Sequence, residues 1–150
     1  MKHDKSNILA AAIASQKGII KDLEQRKNDI MANDGNVNEE EYDRTEQSIK
    51  SSLIDEAEAI SDELHFVRDE LRELEKIKVH AASKTVVPGA VVVTNRGDFF
   101  VSASIEGFNV GKSHFFGLSR RSPLYKKMQG RKVGARFRLN KLDYVIKEIY

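Results

Sequence analysis

Two long stretches of the chain repeat apolar residues at alternating spacings of three and four, and this periodicity constrains the fold more than any other feature. The first stretch covers about residues 5–31 and the second about residues 39–78. Such spacing gives each helix one apolar stripe that must be buried against another element. The predicted stripe positions are Leu9, Ile13, Gln16, Ile20, Leu23, Lys27 and Ile30 on the first helix, and Tyr42, Ile49, Leu53, Ala57, Ile60, Leu64, Val67, Leu71, Leu74 and Ile77 on the second.

The segment between the two stretches is a turn that is rich in carboxylates. Its Asp-Gly pair favours a chain reversal, and Asn38 with Glu41 three residues later is typical of a helix N-cap and its capping-box partner. We therefore expect an antiparallel coiled-coil hairpin over residues 1–79 with its tip near residues 33–38, although an intermolecular coiled coil has the same periodicity. The acidic side chains at or beside this tip are Asp34, Glu39, Glu40, Glu41 and Asp43.

Charge is distributed unevenly along the chain. Residues 1–79 carry 12 basic and 19 acidic side chains, whereas residues 80–150 carry 13 basic and 4 acidic ones. An acidic half joined to a basic half indicates two different partners, the basic half meeting an acidic or phosphate-rich one, although two solvated faces give the same imbalance. There is no cysteine, no apolar run of about 18 residues and no signal-peptide core, which predicts a soluble cytoplasmic protein without disulfides.

Beyond the helices the apolar spacing changes from helical to alternating. Pro88 disfavours helix at the preceding residue, which places a linker at residues 80–85 and a second domain at residues 86–150. We expect a small α+β domain with an antiparallel sheet and one short helix. Strands are predicted at 90–94, 99–104, 135–139 and 144–150, residues 105–118 are not assigned, and the predicted core residues are Phe137, Leu139, Val145 and Ile149.

The short helix is predicted to begin at Ser122-Pro123, a hydroxyl cap followed by proline at the first helical position, and to end at Gly130. Basic residues are dense on and beside it, which indicates either a docking surface for acidic protein or nucleic acid, or solvated faces. Aromatic residues of the kind that stack single-stranded bases are not interleaved with them, so sequence-specific reading of nucleic acid is not expected. The basic residues are Arg120, Arg121, Lys126, Lys127, Arg131, Lys132, Arg136 and Arg138.

Residues 118–137 carry an ordered set of motifs: Ser122-Pro123-Leu124, the short helix, and then Gly-x-Lys-Val-Gly over residues 130–134. This order resembles the C-terminal domain of the bacterial Gre transcript-cleavage factors, with Ala135 where that family usually has Asp. Together with the helical hairpin, the resemblance covers nearly the whole chain. It implies an FKBP-like domain that docks on the rim of the RNA polymerase secondary channel. The implied docking surface consists of Arg120, Arg121, Ser122, Pro123, Leu124, Lys126, Lys127, Arg131 and Lys132.

The same resemblance implies how the hairpin acts. In such factors the coiled coil enters the channel, and two tip acids help to hold a magnesium ion for hydrolysis of backtracked RNA. The chain would then be a cofactor for cleavage by the polymerase rather than an enzyme, with no cofactor of its own and Mg²⁺ shared with the polymerase. The candidate acids are Asp34, Glu39, Glu40, Glu41 and Asp43; Asn36 stands at one family acid position when Gly35 is aligned. Helix capping is the structural alternative for the three glutamates.

Two other functions fit the same residues. One is a non-cleaving regulator or inhibitor that occupies the channel of the DNA-bound polymerase, and the other is a general coiled-coil protein-interaction module. For the Gre-type function we expect a monomer that binds RNA polymerase, contacts backtracked RNA indirectly and does not bind membranes. His3, His65, His80 and His114 share no ligand or triad spacing, and they are interpreted as structural or surface residues.

Overall fold

The chain folds into two long helices followed by a sheet with a short helix, which confirms the α+β class. The structure, a computed structural model, describes residues 2–34, 44–79 and 82–150, without the side chains of residues 33, 34 and 44–46. The mixed six-stranded sheet has the order β3-β4-β2-β1-β6-β5. The elements are α1 (Lys5–Asp34), α2 (Arg44–Glu75), β1 (Val91–Thr94), β2 (Gly97–Ser102), β3 (Phe108–Val110), β4 (Ser113–Ser119), α3 (Pro123–Met128), β5 (Arg136–Leu139) and β6 (Leu142–Ile149).

The chain divides into two compact units. One unit, called the body, combines Met1–Gln16 with Glu70–Tyr150, and the other, called the arm, is Lys17–Asp69. The body therefore holds the sheet, the start of α1 and the end of α2. The described part of the chain has no helix that is both long enough and apolar enough to span a membrane.

The arm is a helical hairpin held by an apolar seam. Ile60, Leu64 and Val67 of α2 are buried in one cluster with Leu23 of α1, as the stripe pattern predicts. The seam does not continue to the first turns of α2, since Ile49 is 57% exposed. Burial at this end of the stripe is therefore less than the periodicity suggests, and Tyr42 lies outside the described residues.

One face of the sheet is covered by the body's share of the two long helices. Ile8 and Ala12 of α1 and Leu74 of α2 are fully buried in a cluster with Phe100 and Phe115 of the sheet. The sequence predicts the neighbouring positions Leu9 and Ile13 as the seam; they pack against the same cluster but are only half-buried. The seam differs here because this part of α1 packs on a sheet rather than only on a second helix.

The opposite face of the sheet is covered by α3. Tyr125 and Met128 of α3 are buried in a second cluster with Val92, Val101 and Leu118. Since Val91 belongs to the first cluster and its neighbour Val92 to the second, β1 is covered on both faces. A strand that is buried on both faces has a continuous apolar sequence, which explains the Val-Val-Val run at residues 91–93.

The prediction of an antiparallel sheet is wrong at one pairing. β2 and β4 are parallel, with Phe99 opposite Phe116. After β2 the chain crosses over through residues 103–107 and returns as the antiparallel pair β3 and β4. These strands lie in the segment that could not be assigned from the sequence, where a three-residue strand gives too short an alternation to be recognised.

A bulge in β6 changes the predicted core at the C-terminus. Val93 pairs with Glu148 and Thr94 with Ile146, so Lys147 is the extra residue. An extra residue places Ile146 and Ile149 on the same face although they are three positions apart, and both are buried. The prediction that Val145 belongs to the core is therefore wrong: Val145 is only half-buried, and Ile146 is the core residue. Of the other predicted core residues, Ile149 is buried, whereas Phe137 and Leu139 are half-buried.

Candidate docking surface

The turn between β4 and α3 holds two arginines in fixed positions. The Ser119 hydroxyl accepts a hydrogen bond of 3.1 Å from Arg121 N, and Ser122 N donates to the Ser119 carbonyl at 3.0 Å. Both bonds are local to the turn, so they do not depend on the exposed arginine side chains. Arg120 and Arg121 consequently project from an ordered backbone into solvent.

The helix that follows begins as the sequence predicts. Ser122 is its N-cap, with extended backbone angles, and its hydroxyl accepts a 3.1 Å hydrogen bond from Tyr125 N. Pro123 occupies the first helical position, where its missing N–H costs no hydrogen bond. Tyr125 and Met128 face the core, so Lys126 and Lys127 between them are exposed.

The end of α3 is fixed to the segment that enters the sheet. Gly130 has φ +72°, the left-handed conformation in which glycine commonly ends a helix. Its N–H donates to the Val86 carbonyl at 2.9 Å, and Val86 N donates to the Arg131 carbonyl at 3.0 Å. Because Val86 is itself fully buried, these two bonds tie α3 to the core of the body.

The structure brings the residues of the implied docking surface together on one continuous segment. Ser122 and Leu124 are half-buried, and the other seven residues are exposed. Six of these nine residues are basic side chains that form or flank α3. The seven exposed residues are Arg120, Arg121, Pro123, Lys126, Lys127, Arg131 and Lys132.

A cleft of about 520 Å³ adjoins this surface, and the sequence did not predict it. Arg120 and Arg121 line it together with Glu70 and Glu73 of α2 and the buried Tyr125. Glu70 is only 7% exposed, whereas the predicted stripe residue Leu71 is half-buried. One sequence signal could have predicted the burial of Glu70: it lies three residues after Val67 and four before Leu74, which places it on the same helix face as these two buried residues.

Two aromatic side chains lie beside the basic cluster. Phe137 and Tyr144 of the β5–β6 hairpin stack with their ring centroids 5.1 Å apart and their planes 4° from parallel. The guanidinium carbon of Arg131 lies 5.8 Å from the Phe137 ring centroid, and that of Arg96 lies 5.7 Å from the Tyr144 ring centroid. The pairing of β5 with β6 places Phe137 opposite Tyr144, and Arg96 joins them from a distant position in the sequence.

The candidate metal-assisting acids cannot be placed. Glu39, Glu40, Glu41 and Asp43 lie outside the described residues, and the side chain of Asp34, the last residue of α1, is not described. Among the residues that the structure describes, no group of three or more His, Asp or Glu side chains is arranged to hold a metal ion.

Among the described residues of the body, three groups have shifted pKa values, and all three lie at or near the first residues of the chain. Burial raises the pKa of Asp98, and the nearby Glu148 carboxylate raises it further. Burial also raises the pKa of the Tyr150 phenol, whereas it lowers the pKa of the Lys5 ammonium group. His3 lies in this region, with Nε2 2.7 Å from the Ser113 hydroxyl oxygen. His3 N also donates to the Tyr150 hydroxyl at 3.4 Å, so His3 joins the start of the chain to the sheet, and all these groups lie outside the docking surface.

Comparison with known proteins identified no relative: no family model, no curated protein and no solved structure matches the chain. The similarity to the Gre factors therefore rests on the residues quoted above.

Proposed function

We propose that this protein is a regulator of transcription elongation that binds RNA polymerase in the manner of the Gre factors. The FKBP-like body docks on the rim of the secondary channel, and the arm enters the channel. One observation carries this proposal: the residues that match the Gre motifs lie on the capped helix α3 and the turn after it, within residues 122–134, and seven of the nine docking residues are exposed.

The charge and rigidity of the segment from Arg120 to Lys132 support docking on an acidic partner. It presents six basic side chains, at positions 120, 121, 126, 127, 131 and 132, and it has no acidic residue. Like-signed charges on one surface speed encounter with a surface of the opposite sign. The buried Tyr125 and Met128 and the two bonds to Val86 hold the segment in place before binding, which lowers the entropy lost on association.

The lengths of the helices support the role of the arm. The arm contains residues 17–34 of α1 and residues 44–69 of α2, which at a rise of about 1.5 Å per residue extend about 27 Å and about 39 Å. A carboxylate at the tip is a hard oxygen donor of the kind that Mg²⁺ prefers, and a magnesium ion shared with the polymerase would activate water for RNA hydrolysis. The chain's own contribution would be to carry Glu39, Glu40 and Glu41 to the ion.

A binding experiment tests the proposal. Purified core RNA polymerase is immobilised and incubated with the protein, and bound protein is then competed with a known factor that enters the secondary channel. We expect saturable retention that the competitor abolishes. No retention, or retention that the competitor leaves unchanged, would contradict the proposal.

A second experiment separates RNA cleavage from occupancy of the channel. Backtracked elongation complexes with labelled RNA are incubated with the protein, and the released 3′ fragments are measured over time. A cleaving factor accelerates their release, and Glu39→Ala reduces the rate without reducing polymerase binding. A non-cleaving regulator leaves the rate unchanged or lowers it while it still binds.

One observation favours a second candidate function, the coiled-coil interaction module. Ile54 and Phe66 on α2 are 45% and 52% exposed, which leaves apolar area on the arm for another helix. The stripe residue Ile60 is buried within the arm and is unsuited to this role. Ile54→Gln with Phe66→Gln would abolish binding to such a partner, whereas polymerase binding through the docking surface would persist.

A further inference from the structure

The cleft beside the docking surface is a polar site with charges of both signs. It opens between the last turns of α2, the Pro88 turn and the turn that follows β4, and all of these belong to the body. Its volume of about 520 Å³ exceeds that of a single side chain by several times, so it can receive a ligand group together with its neighbours. The lining residues that carry the argument are Glu70, Glu73, Ser119, Arg120, Arg121 and Tyr125.

Glu70 is the anomalous residue of this cleft. It is 7% exposed, and its Oε2 atom accepts a 2.6 Å hydrogen bond from Ser104 N. Among the residues that the structure describes, no Lys, Arg or His nitrogen lies within ion-pair distance of its carboxylate. A buried carboxylate without a cation is costly, because one hydrogen bond replaces only part of its hydration. A cation supplied from outside through the cleft would compensate this charge.

Tyr125 is a second, independent indication that the cleft takes a ligand. The residue is 4% exposed, and its hydroxyl has no hydrogen-bond partner within the described part of the chain, although a buried phenol usually has one. Beside it the Ser119 hydroxyl oxygen is used by Arg121 N, which leaves the hydroxyl proton free to be donated. The cleft therefore offers two hydroxyl donors, those of Ser119 and Tyr125, together with the Glu70 carboxylate, which has no cation among the described residues.

The combination of charges selects the kind of ligand. Glu70 repels an anion such as free phosphate, whereas the charge of Glu73 is offset by Lys76 Nζ at 3.4 Å. Arg120 and Arg121 repel a small polyamine. A polypeptide that carries a basic side chain next to an acidic one matches Glu70 and the two arginines at once.

We propose that the cleft receives a lysine or arginine side chain of the docking partner, whose cation pairs with Glu70. An adjacent acidic residue of the same partner binds Arg120 and Arg121, and Tyr125 donates its hydroxyl hydrogen to an acceptor of that segment. The inference rests on the proposed function, since it takes RNA polymerase as the partner. It adds a buried ion pair to a contact otherwise formed by exposed basic residues.

The test compares the affinity of core RNA polymerase for the full-length wild-type protein and for Glu70→Gln. Glutamine keeps the size of the side chain and an oxygen for Ser104 N, but it removes the charge. We expect at least about a tenfold loss of affinity, as is typical when one partner of a buried ion pair is removed. The matched control is Glu75→Gln, an exposed residue at the end of the same helix, which should bind within about twofold of wild type.

A second variant keeps the inference testable if Glu70→Gln disturbs the fold. Tyr125→Phe removes only the hydroxyl group, and because this hydroxyl has no partner in the described chain, the variant should unfold at the same temperature as wild type. We expect it to bind the polymerase about threefold or more weakly. Unchanged affinity of both variants, with wild-type binding intact, would overturn the inference and leave the proposed function standing. If the wild-type protein itself does not bind, the proposed function is what fails.

Titration of the isolated protein with spermidine and with free arginine, followed by calorimetry, distinguishes the other source of a cation. We expect no binding below millimolar concentration. Tighter binding that requires Glu70, combined with unchanged polymerase affinity of Glu70→Gln, would assign the site to a small amine and overturn the assignment to a polypeptide.

Discussion

The carboxylate of Glu70 joins the end of α2 to the loop after β2 through its 2.6 Å hydrogen bond from Ser104 N. A hydrogen bond to a charged group contributes about 1.5–3 kcal/mol when it is shielded from water. Glu70→Ala should therefore lower the free energy of unfolding by about 1–2 kcal/mol in urea titrations of the full chain. Glu75→Ala, at an exposed position of the same helix, should change it by less than about 0.5 kcal/mol. Equal values for the two variants would show that the bond is not formed in solution.

The Ser122 cap should be separable from the docking role of its segment. Ser122→Ala removes the acceptor for Tyr125 N and should destabilise the body by about 1 kcal/mol. Ser122→Asp restores a capping oxygen, so its stability in urea should be close to that of wild type, but it adds a negative charge to a basic surface. We expect the Asp variant to bind the polymerase more weakly than its stability alone would suggest. Wild-type affinity of a stably folded Ser122→Asp would show that residue 122 does not face the partner.

The start of α1 should be a structural part of the body. Ile8 is fully buried against the sheet, and truncation of such a side chain leaves a cavity. Ile8→Ala should therefore cost about 2–5 kcal/mol of unfolding free energy. The matched control is Ile54→Ala, which removes the same atoms from a residue that is 45% exposed and should cost less than about 1 kcal/mol. A small effect at position 8 would contradict the packing of α1 on the sheet.

Asp98 should destabilise the protein at neutral pH. Its pKa is raised by burial and by Glu148, so the folded chain holds the carboxyl proton of Asp98 more tightly than the unfolded chain does. The contribution of Asp98 therefore favours folding at acidic pH and is lost as the pH rises through the raised pKa. Asp98→Asn should raise the melting temperature at pH 7, and the gain should disappear toward pH 4, near the ordinary carboxyl pKa. A gain that is independent of pH would have another cause.

The helices and the capped segment were predictable because local rules determine them. Ser122-Pro123 and Gly130 place the ends of α3, and the alternating spacing around Ile60 and Leu64 places the seam of the arm. The exposed basic residues of the docking surface follow from the same helix, since Tyr125 and Met128 must face the core. Local patterns were therefore sufficient for the class of fold and for this surface.

Features that depend on distant residues could not be predicted in this way. The parallel pairing of Phe99 with Phe116 requires a crossover that no short pattern encodes, and the bulge at Lys147 reverses the alternation on which the predicted core relied. The cleft was missed for the same reason, because Glu70 and Arg120 lie far apart in the sequence and become neighbours only through tertiary packing.

Binding of core RNA polymerase by a charge-reversal variant of the docking surface tests the central claim most directly. Arg120→Glu with Arg121→Glu reverses two exposed charges on the surface, and Lys84→Glu with Lys112→Glu makes the same change in net charge at exposed positions outside it. Dissociation constants for both double variants and the wild type are measured at one ionic strength. We predict at least about a tenfold loss for the arginine pair and no more than about a threefold loss for the lysine pair. Equal losses, or wild-type affinity for the arginine pair, would contradict docking through this surface.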